Sequence, residues 1–282
     1  MDTTTKTQRP SANRSSSRNT KKQGSKLPFI VVGVIVAALV AFALAAPSCS
    51  DQNKYNWDNL KLENGRMVYY ENDQVVSTAG VDVSELQGSI DWEKVKNDGI
   101  DFAMLRCGRR GSTEGQLYTD KTYYENVQGV TRAGLPFGVY FFSQATNEQE
   151  ALEEAEYVLN LLNGAGATYP VVYDQEAVTD ANGRANNLSA DQLTKNAQTF
   201  CKRVEEAGYH PMVYGNQHDL ARLNIDQVNC AVWYAQYTDS HPTSSYHDFV
   251  MWQYSHTGKV DGISTNVDLN ILFEADWISP ER

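Results

Sequence analysis

The stretch NEQEALEEAEYVLNLLNGAGATYPVVYDQE, residues 147–176, decides how this chain folds. Asn147, with Glu150 three residues on, marks a helix start, and Gly164 marks its end. The run that follows, YPVVYDQE (169–176), is rich in β-branched and aromatic residues and closes on two acids. The next helix repeats the punctuation, with Ser189 at its start, Gln192 three residues on and Gly208 at its end.

Outward from there the same rhythm holds from Gly80 onward. The β-rich runs are GVDVS (80–84), DFAMLRC (101–107), PFGVYFFS (136–143), YPVVYDQE (169–176), HPMVYGN (210–216), AVWYAQY (231–237), DFVMWQYS (248–255) and VDLNILF (267–273). Helical patterns separate the first five, and the connections after AVWYAQY are shorter and poor in helix signal. This order predicts the α/β class: a single TIM-like β/α barrel, with five β/α units followed by three strands with little helix. An open doubly wound sheet is the alternative on pattern alone. The barrel domain is expected over residues 80–277.

The chain of 282 residues is long enough for such a domain, and its 41% hydrophobic and 11% aromatic content excludes a mainly disordered protein. Its net charge of −11 argues against nucleic acid as a partner, because phosphate neutralisation needs clustered Lys and Arg. The charge is unevenly spread. Residues 1–26 hold seven basic groups against one acid, a net +6, which leaves 17 basic and 34 acidic groups, a net −17, in the rest. This Ser/Thr/Asn/Lys/Arg tail is expected to be disordered.

After it comes LPFIVVGVIVAALVAFALAA, residues 27–46, twenty residues without a charge. At about 1.5 Å per residue, such a helix spans a hydrocarbon core of about 30 Å. The basic tail before it predicts a single-pass transmembrane helix with a cytoplasmic N-terminus and an exterior barrel. The run is longer than a usual signal h-region, which favours an anchor over a cleaved signal. Cys49 sits where a bacterial lipoprotein carries its modified cysteine, although Ala46 and Pro47 fit that pattern poorly. Residues 47–79 read as a stalk with a β-hairpin around Asn72-Asp73.

The four cysteines (49, 107, 201 and 230) form no CxxC, and the five histidines form no HExxH. No phosphate-binding glycine loop is present either, and CGRRGSTEG reads as a loop leaving a strand. No metal and no cofactor is expected. Cys107 and Cys201 read as buried. One disulfide among 107, 201 and 230 fits an exterior domain.

Active groups of a β/α barrel lie at the C-terminal ends of its strands. Four acids lie at or near strand ends within apolar runs: Asp82, Asp174, Glu176 and Asp268. Charges there are costly unless paired or used. On a strand, Asp174 and Glu176 share a face about 6–7 Å apart, and two carboxyls that close do not titrate alike. That asymmetry suits the acid/base pair of glycoside hydrolysis. Tyr140, Tyr214, Trp233, Tyr237 and Trp252 are candidates to stack on sugar rings.

These residues resemble glycoside hydrolase family 25, the N-acetylmuramidase lysozymes. GVDVSELQGSIDWEKVKNDGIDFAMLRCG is similar to the family's opening segment. PFGVYFFSQA, YPVVYDQE, VWYAQY, MWQYS and VDLN resemble its later strands in order, so the likeness runs from Gly80 to Phe273. It implies cleavage of the β-1,4 bond between N-acetylmuramic acid and N-acetylglucosamine in peptidoglycan, with retention. It further implies Glu176 as general acid, Asp82 and Asp174 flanking the reacting sugar, and Asp268 completing an acidic mouth. Whether a carboxylate or the substrate's acetamido group attacks the anomeric carbon stays open. Gln175 and Arg110 stand where relatives often carry an apolar or aromatic residue and a Tyr. The rival functions are a non-catalytic barrel binding wall glycans and a glycosidase for another polysaccharide.

Overall fold

A computed structural model describes residues 54–243 and 248–273. The basic tail 1–26, the apolar stretch 27–46, Cys49, the start of the expected stalk and residues 274–277 lie outside the described residues. Among the described residues no helix is long and apolar enough to cross a membrane.

Among the described residues there are twelve strands. A small sheet holds β1 (Leu60–Glu63), β2 (Arg66–Glu71) and β3 (Gln74–Val75). The main sheet holds β4 (Thr78–Val83), β5 (Phe102–Arg110), β6 (Leu117–Thr119), β7 (Phe137–Phe142), β8 (Val171–Asp174), β9 (Pro211–Asn216), β10 (Ala231–Ala235), β11 (Met251–Gly258) and β12 (Val267–Leu272). Eight of these close on themselves in the order β4-β5-β7-β8-β9-β10-β11-β12, with β12 back beside β4. The barrel is therefore closed, and the open doubly wound sheet is ruled out.

Helices α1 (Trp92–Asn97), α2 (Tyr123–Ala133), α3 (Glu148–Leu162), α4 (Ala190–Glu206) and α5 (Gln217–Leu220) connect the first six barrel strands. The side chains of Asn147 and Ser189 accept from the backbone N–H of Glu150 and Gln192, as the capping pattern predicts. Gly164 follows α3 at φ 77°, a backbone that disfavours any residue with a Cβ. The fifth helix is a single turn.

Neighbours from β4 to β11 pair in parallel, whereas β12 runs antiparallel to both β11 and β4. The reason lies in the connection. A parallel return needs a dozen or more residues, and only residues 259–266 separate β11 from β12. The last strand must turn straight back. Its first residues therefore lie at the same end of the barrel as the last residues of the other strands.

CGRRG is not all loop. Strand β5 runs on to Arg110, and its end pairs with the extra strand β6. Arg110 is buried; its Nε donates to Glu154 at 2.7 Å, and its Nη1 and Nη2 donate to the carbonyls of Gly115 and Glu150.

Period-two alternation separates two cores. Phe102, Met104, Val172, Met212, Trp233, Met251 and Leu272 fill the barrel interior. Space there is short: a Cβ on Gly80 would lie 2.2 Å from the Phe102 ring. The residues between them, among them Val81, Val83, Leu105, Phe141, Val171, Tyr173, Val213 and Tyr234, face the helices.

Residues 54–77 do not stand off as a stalk. Tyr55, Met67 and Tyr69 are buried, the Tyr55 ring stacks on Phe273 at 4.2 Å, and its hydroxyl donates to the Phe249 carbonyl at 2.7 Å. Aromatic side chains in a polar-looking segment gain by covering the barrel's side. Strands β2 and β3 form an antiparallel hairpin with Asn72 and Asp73 at positive φ.

Candidate active site

At the end of the barrel where β4 to β11 finish, one cleft is lined by Asp82, Arg106, Tyr140, Asp174, Glu176, Tyr214, Trp233, Tyr237, Gln253 and Asp268, with Ser84, Leu86 and Gln87 on its rim. Asp82 sits near the end of β4 and Asp174 ends β8. Asp268 reaches the cleft because β12 is reversed, and it pairs in register with Asp82.

Asp82 is buried, and its Oδ2 accepts from Gln253 Nε2 and Asn270 Nδ2, each at 2.8 Å. Those two donors favour the carboxylate, yet burial and the charge of Asp268 push its pKa up to about 8. Asp268 is pushed up to about 6, by burial first and then by Glu176.

Glu176 lies two residues past the end of β8, on a coil segment and not on the strand. Backbone contacts hold that segment: Gln144 Nε2 donates to the Glu176 carbonyl at 2.9 Å, and Ala177 N–H donates to Asp219 Oδ1 at 3.1 Å. Burial, and then the negative charge of Asp219, push Glu176 up to about 7; hydrogen bonding to Asp174 works against them. Asp174 is raised well above the usual carboxyl range by burial and by the Glu176 charge. The titration of each carboxyl thus depends on the other. Gln175 is buried between the two acids, and its amide meets no hydrogen-bond partner.

Trp233 forms the floor. It is 1% exposed, its Nε1 donates to Asn270 Oδ1 at 2.9 Å, and Tyr140 and Tyr214 meet it edge-on at centroid distances of 6.1 and 4.7 Å. Tyr237 stands beyond the end of β10, half exposed. Its hydroxyl and that of Tyr214 both donate to Gln253 Oε1, at 3.1 and 2.8 Å. Gln253 is thereby oriented to present its N–H to Asp82.

Trp252 is a correction. It is fully buried on the helix-facing side and donates through Nε1 to the Gln236 carbonyl, so it cannot meet a ligand in the cleft. Alternation explains it: with Met251 and Gln253 pointing inward, Trp252 must point outward.

Four contributors were not picked out from the sequence. Gln253, Asn270 and Arg106 are polar residues at inward positions of apolar strands, the same signal that exposes the acids, and reading amides and cations alike would find them. Arg106 is the one cation among the lining residues and is held by Asp120 at 2.8 Å and Glu85 at 3.1 Å. Asp219 lies on the one-turn helix α5, where no periodicity marks it. Among the described residues no group of three His, Cys, Asp or Glu is arranged to hold a metal ion.

Residues 81–263 match the model of glycosyl hydrolases family 25. The chain is 30% identical over 196 residues to the autolytic lysozyme of Clostridium acetobutylicum, covering 69% of this chain and 56% of that protein. It is 30% identical over 203 residues to lysozyme M1 of Streptomyces globisporus, covering 68% and 66%. It thus spans little more than half to two thirds of the length of these relatives. Among solved structures, the modular autolysin LytC of Streptococcus pneumoniae superposes with a TM-score of 0.62 at 25% identity, covering 76% of this chain and 52% of that one. Since the matched segment begins within β4 and ends in the β11–β12 connection, it takes in the barrel up to its last strand, with Asp82, Asp174 and Glu176 of the cleft, and the chain belongs to glycosyl hydrolase family 25.

Proposed function

We propose that this protein is a muramidase that hydrolyses the β-1,4 bond between N-acetylmuramic acid and N-acetylglucosamine in peptidoglycan, for turnover of the cell wall. The observation that carries this reading is the Asp174–Glu176 pair, two raised carboxyls lining one open cleft. The names of the lysozyme relatives support the substrate class.

Glu176 is the proton donor to the glycosidic oxygen. It lines the cleft, is less buried than Asp174, and is protonated below about pH 7. Asp82 is unsuited to that task, because two amide N–H groups already point at one of its oxygens. Asp268, ionised above about pH 6, opposes the positive charge that develops on the sugar ring, while Asp82 lines the cleft beside it. Asp174, beside Glu176, faces the same ring. The ring itself rests over Trp233, Tyr140 and Tyr214.

The test is to digest purified peptidoglycan with the protein, reduce the new chain ends and identify the reduced sugar. Reduced muramic acid at the new ends is expected. Reduced glucosamine would mean that the other bond is cut, and no new ends would leave a glycan-binding barrel.

The same reading puts the barrel outside the cell, held by a single-pass anchor at residues 27–46. The support is the uncharged run of twenty residues behind a +6 tail. Protease added to intact, wall-stripped cells is expected to degrade the barrel. Full protection would overturn the anchor's orientation.

A further inference from the structure

We propose that Cys201 and Cys230 form a disulfide that staples helix α4 to the strand β10 entrance. Their sulfurs stand 3.4 Å apart, 29 residues apart in the chain. A disulfide needs about 2.05 Å, so a shift of little more than 1 Å closes it. The surrounding contacts already hold the two segments together. Gln198 Nε2 on α4 donates to the Gln227 carbonyl at 2.7 Å, Asn224 N–H donates to Thr194 Oγ1 at 2.9 Å, and Asn224 Nδ2 donates to Asp191 Oδ1 at 3.0 Å. Cys107 is no competitor. It is fully buried, and its thiol points at the Tyr140 carbonyl.

Cys230 is half-buried and borders a surface cavity together with Asn229 and Asp226; Cys201 borders a second one with Lys202 and Glu205. Access therefore favours Cys230 as the first thiol to react. Its thiolate attacks a disulfide oxidant, either a small-molecule disulfide or the disulfide of an oxidoreductase of the exterior. One sulfur of the oxidant leaves as a thiolate. Cys201 then loses its proton and attacks the Cys230 sulfur of the mixed disulfide, and the oxidant's second sulfur leaves. Two electrons and two protons pass from the cysteine pair to the oxidant, whose two sulfurs end as thiols. The closed loop contains Tyr214 and Asp219 of the site, so the staple secures one wall of the cleft. Its formation in the cell rests on the exterior placement proposed above; its formation in vitro does not.

The test uses the purified full chain in detergent, equilibrated with oxidised glutathione, alkylated and digested without reduction. A Cys201–Cys230 cross-linked peptide is expected, two hydrogens lighter than the sum of the free peptides. Reductant should lower the melting temperature of this sample by about 10 °C. Cys201→Ser and Cys230→Ser should each melt with the reduced wild type and ignore reductant. Alkylation of both thiols after oxidation, or a cross-link to Cys49, Cys107 or a second chain, would overturn the proposal. So would a wild-type melting temperature indifferent to reductant, a result that does not depend on either variant folding. The same mapping on chain from acid-quenched cells reads the exterior placement separately, and free thiols there, with a bond formed in vitro, would count against that placement alone.

Discussion

Asp82 on β4 and Asp268 on β12 stand directly opposite each other across an antiparallel pair, both facing the cleft. Like charges in that relationship destabilise a sheet. The barrel tolerates them because both carboxyls are raised, Asp82 to about 8 and Asp268 to about 6, and so do not ionise together until the medium is alkaline. The arrangement costs stability and, between about pH 6 and 8, leaves one negative charge, on Asp268, where a cationic transition state forms.

Glu176→Gln keeps the shape of the proton donor and removes its proton. Peptidoglycan hydrolysis should fall by at least about 10²–10⁴-fold. Near-full activity in a reducing-end assay would reject Glu176 as the donor and turn attention to Asp82 and Asp268. At pH 8 the variant should be more stable than the wild type in chemical denaturation, by on the order of 1–3 kcal/mol, because a buried charge is gone.

Stability should fall as pH rises from about 5 to about 9. Asp82, Glu176 and Asp268 all have folded-state values above their unfolded ones, at about 8, 7 and 6. The folded protein keeps protons that the unfolded chain has already released. Their stabilising effect is full below about pH 4 and is lost as pH passes through those folded values. Melting curves across this range check it, and a melting temperature that climbs toward pH 9 would contradict the assignment.

Asp219→Asn keeps an oxygen for the Ala177 N–H and removes a charge near Glu176. Losing that charge lowers the pKa of Glu176. The alkaline limb of the kcat/KM profile, which follows protonated donor, should therefore move to lower pH, while activity at the acid end of the profile stays within a few-fold of wild type. An unmoved limb would show that Asp219 acts on the loop only through its hydrogen bond.

Tyr55→Ala removes the ring that stacks on Phe273 and the hydroxyl that donates to Phe249. Residues 54–77 should loosen from the barrel, at a cost of about 3 kcal/mol in chemical denaturation. A change below about 0.5 kcal/mol, the level of an ordinary surface substitution, would return this segment to the role of a stalk.

Much of the fold is legible in the sequence because its signals are local. The alternation in YPVVYDQE and the caps at Asn147 and Ser189 depend on backbone geometry a few residues long, and the structure reproduces them. The four acids stand out for the same reason, being charges inside apolar runs. The reach of that signal is short. It extends the acidic strand to Glu176, whereas the strand stops at Asp174 and Glu176 is held by Gln144 and Asp219 from other parts of the chain.

The sequence by itself determined eight apolar runs, the order of the helices and the identity of the carboxylates. Closure of the barrel decided which of them meet. Because only residues 259–266 join β11 to β12, the last strand reverses and brings Asp268 beside Asp82. Its direction then places Asn270 under Trp233 and beside Asp82. Which face of β11 looks inward was likewise a tertiary matter: burial can satisfy either face of a strand as apolar as DFVMWQYS, and only register with β10 and β12 turns Gln253 to the cleft and Trp252 away from it.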